Sequence, residues 1–168
     1  MKKQNLLKML PALLAGFLLI MSGCKSDGPG ITDVEHEDLG SQPWAFDIEE
    51  LTLSNDDFRA ARWTGDYMQM TVMSIKPGGE IGLEAHPDVD QFLRIEQGSA
   101  RILMGKNKDE LSFIREVSDD WAIFIPAGYW HNLINTGKED VKLYSIYSPP
   151  EHPKGTVHAT IEDDDHHH

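Results

Sequence analysis

An all-β fold is what this sequence predicts, and three observations predict it. Extended stretches of four to eight residues recur at short intervals, Gly, Pro, Asn and Asp separate them, and no long run carries a helical period. At 168 residues and 40% hydrophobic content, the chain holds about one domain's worth of core once an N-terminal targeting segment is set aside. No internal repeat is visible.

Taken in order, residues 1–23 begin basic and acid-free, with Lys2, Lys3 and Lys8, and continue into the apolar run 9–21. That run is too short to cross a bilayer as a helix, which takes about 20 residues, and matches the hydrophobic region of a secretory signal. It ends Ile20-Met21-Ser22-Gly23-Cys24, which resembles a bacterial lipobox, with Cys24 as the acylated residue. Cys24 is the single cysteine, so it has no disulfide partner within the chain. The expectation is a signal peptide over 1–23, a lipid on Cys24, and a domain held outside the cytoplasm, in the periplasm or at the cell surface, touching membrane only through that lipid. Residues 24–43 are polar, contain glycine and lack apolar period, which reads as a flexible tether.

The folded domain is expected over 44–150. Residues 46–53 alternate and read as an edge strand; 55–61 read as a helical turn capped by Ser54 or Asn55. A strand over 68–75 closes on the turn Lys76-Pro77-Gly78-Gly79 and is followed by a second strand, 80–86, which Pro87 stops. Further strands are expected over 91–96, 100–104, 111–116, 122–125, 130–134 and 141–147, the last ended by Pro149 and Pro150. Residues 151–168 form a C-terminal extension whose His152 and His158 are candidates to close over the domain, and whose final histidines read as a solvated terminus.

Formal net charge is −13, and loss of residues 1–23, with three lysines and no acids, takes it to about −16. Phosphate neutralisation needs clustered Lys and Arg, so nucleic acid is excluded as a partner and anionic lipid as a surface for the domain.

Metal-capable side chains concentrate in two blocks. The first runs Gly78, five residues, Glu84, one residue, His86, four residues, Gln91, six residues, Gly98. The second runs Asp120, five residues, Pro126-Ala127-Gly128, two residues, His131, three residues, Asn135. Residues two apart on a strand share a face, so Glu84 and His86 project together. The turn-type residues 87–90 then reverse the chain, so that Gln91 is expected across from that pair, with His131 entering from a third strand. One carboxylate, two imidazoles and one amide oxygen make a mixed N/O donor set suited to a divalent transition metal such as Zn, Mn or Fe. A rival set is His86, Asp88 and His131, which resembles the facial triad of non-haem iron dioxygenases, although Pro87 places Asp88 in a turn. Tyr129, Trp130, Tyr144 and Tyr147 fall on or beside the strands expected at the mouth, Arg94 falls on the face opposite Gln91, and Asn135 and Gly137 read as turn residues.

The two blocks resemble the paired motifs of the cupin superfamily, with Glu84, His86 and Gln91 where the usual first motif has two His and a Glu, and Asp120 where the second has a Gly. The resemblance implies a jelly-roll barrel (double-stranded β-helix) with a metal inside, and a homodimer joined through edge strands. The inventory of Glu, Gln and two His is similar in kind to that of phosphomannose isomerases in the superfamily. The activity this implies is metal-based Lewis-acid chemistry on a small oxygenated molecule, carbohydrate-like or carboxylate. The alternative is a module that holds a metal or small ligand without turnover.

Overall fold

A computed structural model describes residues 37–164. The expected signal peptide, Cys24 and most of the 24–43 tether lie outside the described residues, as do the terminal histidines. Among the described residues, nine strands and one α-helix occur: α1 (Ile48–Ser54), β1 (Arg59–Thr64), β2 (Gln69–Ile75), β3 (Asp90–Gln97), β4 (Ser99–Gly105), β5 (Phe113–Ser118), β6 (Ala122–Ile125), β7 (Trp130–Asn135), β8 (Val141–Ser148) and β9 (Val157–His158). They form two sheets, one ordered β6-β3-β8-β2-β1-β9 and one ordered β5-β4-β7, with every pairing antiparallel. The all-β jelly roll expected from the sequence is therefore the fold.

The inner faces of the sheets enclose one core. Met73, Ile75, Leu93, Ile95, Val141 and Leu143 from the larger sheet meet Ile102, Val117 and Leu133 from the smaller, all buried. Alternation along the strands carries this pattern and then changes its chemistry. Toward one end of β8 the inward residues turn from Val141 and Leu143 to Ser145 and Tyr147, and β3 runs from Ile95 and Leu93 to Gln91 in matching register. One end of the barrel is thus apolar and the other polar, and the polar end holds the site.

Two local expectations are corrected. Residues 46–53 are not an edge strand: Asp47 caps α1, accepting from the Glu50 amide at 3.1 Å, and the next strand begins at Arg59 where a helical turn was expected. The reason is tertiary. Ala60, Met70 and Val72 on the outer face of the large sheet are apolar, and Leu51 with the flanking Trp44, Phe46 and Ile48 covers them.

The second correction concerns 80–86, which form no continuous strand, only isolated bridges. This segment crosses to the smaller sheet and bridges β7 at Glu80–Ile134 and Glu84–His131. The Ile81 amide donates to Leu133 O at 3.0 Å, and Glu84 and His131 exchange both backbone bonds. Gly78, at φ 76°, opens the turn that redirects the chain. Gly98, at φ 92°, admits no side chain, because a Cβ there would lie 2.8 Å from the Asp140 carbonyl. Asp120, where the cupin motif has Gly, adopts that same left-handed backbone at φ 68°, a region Asp tolerates.

Residues at both ends pack on the barrel. Asp38 accepts from the amides of Gly40, Thr64 and Gly155 and from the Thr64 hydroxyl. Among the described residues no helix is long and apolar enough to cross a membrane.

Candidate metal centre

Three of the four ligands expected from the sequence come together. The Glu84–His131 backbone bridge sets these two residues side by side, and the turn at 126–129 pins His86, whose carbonyl accepts from the Gly128 amide at 2.7 Å. Glu84 Oε1 then lies 3.2 Å from His131 Nε2 and 3.4 Å from His86 Nε2. One donor atom from each of the three residues lies within 4.8 Å of the other two, and all three side chains are buried.

Partners behind the rings fix which nitrogen faces inward. The Tyr129 carbonyl accepts from His131 Nδ1 at 3.1 Å, and the Glu151 carboxylate lies 3.1 Å from His86 Nδ1. Both acceptors place the ring proton on Nδ1, which leaves two Nε2 lone pairs aimed at a carboxylate oxygen. Lone pairs so arranged repel unless a proton or a cation lies between them. Ligands held about 2.0–2.2 Å from one ion stand roughly 3.0–3.5 Å apart, and the two carboxylate-to-imidazole distances fall in that range. The residues present fit a divalent metal, and the Glu84, His86 and His131 cluster is able to bind one.

With a proton rather than an ion between ring and carboxylate, the same contacts become hydrogen bonds. Burial alone pushes the Glu84 carboxyl up, yet hydrogen bonds from His131 and His86 and the Arg59 charge hold it well below the usual carboxylate range. Burial lowers the basicity of His86, but the Glu84 carboxylate beside it, with Glu151 behind, raises it overall.

Gln91 approaches differently from expectation. It does not stand across a hairpin from Glu84 and His86; it sits on β3 in the larger sheet, paired in register with Tyr147 and Ile125. Its Nε2 donates to Ser145 Oγ at 3.1 Å, and its buried Oε1 is left without a hydrogen bond. Asp88 is exposed in the turn after Pro87, outside the cluster, so the set of His86, Asp88 and His131 is not formed. Arg94 faces outward and pairs with Glu96 and Asp120. Asn135 holds its turn through Ile75 O and Glu139 O and receives the Gly137 amide.

Several residues of this end carry no motif signal. Arg59 is fully buried on β1, with Nη2 4.0 Å from Glu84 Oε2 and Nη1 on Asp164. The Tyr147 ring lies edge-on between His86, 5.8 Å away, and His152, 5.1 Å away. Burial raises its hydroxyl above the usual tyrosine range, which keeps it neutral. Arg59, Glu151 and Asp164 stand outside both motif blocks, and nothing in the local sequence marks them. A cavity of about 310 Å³ opens beside Tyr129 and Pro126, lined also by Met104, Phe113, Trp121 and Phe124, and none of the three metal-capable side chains lines it.

Residues 71–147 match the model of the cupin domain. The chain is 57% identical over 127 residues to YrkC of Bacillus subtilis, an alignment that takes in 76% of this chain and 68% of that protein. It is 43% identical over 118 residues to L612 of Acanthamoeba polyphaga mimivirus, covering 70% and 72%. Among solved structures it is similar to BH2720 of Bacillus halodurans, at 54% identity and a TM-score of 0.75, covering 76% of this chain and 96% of that one. With these identities and coverages, and with the jelly roll and the buried Glu84, His86 and His131 already described, the chain belongs to the cupin family.

Proposed function

We propose that this protein holds one divalent transition metal, Zn, Mn or Fe, through Glu84, His86 and His131, with Gln91 supplying an amide oxygen to the ion or to a molecule bound on it, and that it acts there on a small oxygenated molecule. The single observation that carries this reading is the convergence of two Nε2 lone pairs on the Glu84 carboxylate, each ring oriented from behind by an acceptor. A metal bound there supplies Lewis acidity, polarising a ligand oxygen or lowering the pKa of a bound water. The chain's own residues hold, orient and enclose. Glu84 cancels one of the two charges of the ion, Tyr147 presents a neutral hydroxyl, and the apolar wall of Leu93, Ile123 and Ile125 keeps water from the core beneath.

Metal analysis of the purified protein tests this. About one equivalent of metal is expected, retained by Asp88→Ala and lost in Glu84→Ala, His86→Ala or His131→Ala with the fold intact by circular dichroism. A protein that takes up no ion after chelation and resupply, or triple substitution without loss of metal, overturns it.

A second reading, a metal held without turnover, is favoured by the burial of all three ligands and by their absence from the neighbouring cavity. Oxygen uptake or isomerisation with candidate carboxylates and sugars separates the two. Two imidazoles and a carboxylate also suit Fe(II), so iron with oxygen consumption assigns an oxygenase. For the whole chain we propose a lipid on Cys24, a domain outside the cytoplasm, and a homodimer.

A further inference from the structure

Arg59 and Asp164 form a buried ion pair, each side chain about 1% exposed, that joins the barrel interior to the C-terminal segment. Asp164 engages Nη1 alone. Nε and Nη2 make no hydrogen bond, and the nearest other carboxylate oxygen, on Glu84, is 4.0 Å away and belongs to the metal-capable cluster. A guanidinium recognises a carboxylate best through two parallel N–H bonds, and that edge of Arg59 is unused. On the same polar end, Gln91 Oε1 has no partner, and the Tyr147 hydroxyl, beside Ser145, has no hydrogen bond of good geometry.

The segment that brings Asp164 is attached by few backbone bonds, with Ile161 packed against the core. It pairs with β1 through the two residues of β9, adds the bonds Ala61 N to Thr156 O and Phe58 N to Ala159 O, and exposes Val157. Asp164 Oδ1 also lies 3.6 Å from His158 Nδ1 on the same segment. A fully buried Arg requires an anion near it, because an unpaired charge in the interior is strongly unfavourable. That anion need not come from the chain.

We infer that Arg59 is the recognition residue for a small carboxylate ligand at the metal end of the barrel, and that the Asp164 carboxylate is an internal occupant of the same place. Ligand and segment then compete for one guanidinium, and entry of the ligand releases residues 157–164. The placement of the ligand beside a metal rests on the proposed function; the exchange at Arg59 does not.

Formate and acetate are the probes, added to the full-length protein with chloride at equal ionic strength as control. In the unsubstituted protein, either carboxylate is expected to speed amide exchange over 157–164 by about tenfold while the core strands keep their protection. Asp164→Ala is expected to unfold at lower temperature and to regain a few degrees of Tm with formate or acetate but not with chloride. Arg59→Gln combined with Asp164→Ala is expected to lose that rescue. Unchanged exchange in the unsubstituted protein overturns the inference even if Asp164→Ala does not fold, and so does rescue that persists without Arg59. Each measurement is repeated on chelated and on metal-loaded protein. Carboxylate effects in a protein that takes up no metal sink the proposed function alone, whereas full metal uptake with no carboxylate effect sinks this inference alone.

Discussion

Glu151 reaches His86 from outside both motif blocks, and its carboxylate at 3.1 Å from Nδ1 determines which face of the ring carries the proton. A metal-ligating His oriented in this way loses affinity when its partner loses charge, typically by 10–100-fold. Glu151→Gln is therefore expected to raise the metal dissociation constant within that range, measured by competition with a chelator, while leaving thermal stability nearly unchanged. His131 takes its orientation from the Tyr129 main-chain carbonyl, so no side-chain substitution at 129 produces the same effect.

Asp38 gives the pH dependence at this scale. Burial alone raises its carboxyl, but the Thr64 hydroxyl and the amides of Gly155, Gly40 and Thr64 hold it below the ordinary Asp value. A group depressed in the folded state contributes stability that is fully present above its unfolded pKa and is lost as pH falls through its folded pKa. Folding stability measured by urea titration is thus expected to fall on acidification below about pH 4, and Asp38→Asn is expected to flatten that fall. At neutral pH the same substitution loses about 1–3 kcal/mol, because buried donors are left to a weaker acceptor.

At the scale of the element, α1 shows how a short amphipathic stretch is decided by what it covers. Its sequence alternates well enough for a strand, yet Ile48, Leu51 and Thr52 also share one helical face, and Asp47 with Glu50 has the spacing of a capping box. Leu51→Ala is expected to destabilise by about 2–5 kcal/mol and Asp47→Ala by about 0.5–2 kcal/mol in denaturant titrations. Were 46–53 a solvated edge strand, the capping substitution would change stability by no more than about 0.5 kcal/mol.

At the scale of the whole molecule, the barrel separates an apolar end that stabilises it from a polar end that carries charge. Glu84, Arg59 and Asp164 are buried together with His86 and His131, so the metal-capable cluster and the C-terminal segment meet in one small volume. Cys24→Ser is expected to release the protein from membranes and abolish lipid labelling; persistence of both removes the anchor. Sedimentation of the released domain is expected to give twice the monomer mass.

Much of this protein was legible in the chain itself. Local punctuation by Gly, Pro, Asn and Asp, with period-two alternation, is a property of neighbouring residues, and it determined most of the strands closely. The two-residue spacing of Glu84 and His86 placed those two candidates on one face for the same reason, whereas His131 was singled out by the resemblance of the second block. Which strands pair was decided only in three dimensions. Residues 80–86 cross to β7 because that places Ile81 in the core, and Gln91 consequently stands on the opposite sheet rather than across a hairpin. Arg59, Glu151 and Asp164 could not be read at all, since their meaning lies in contacts spanning up to 105 residues of sequence. Sequence order carries information about local backbone preference, whereas convergence of distant charges arises only when burial forces each one to find a partner.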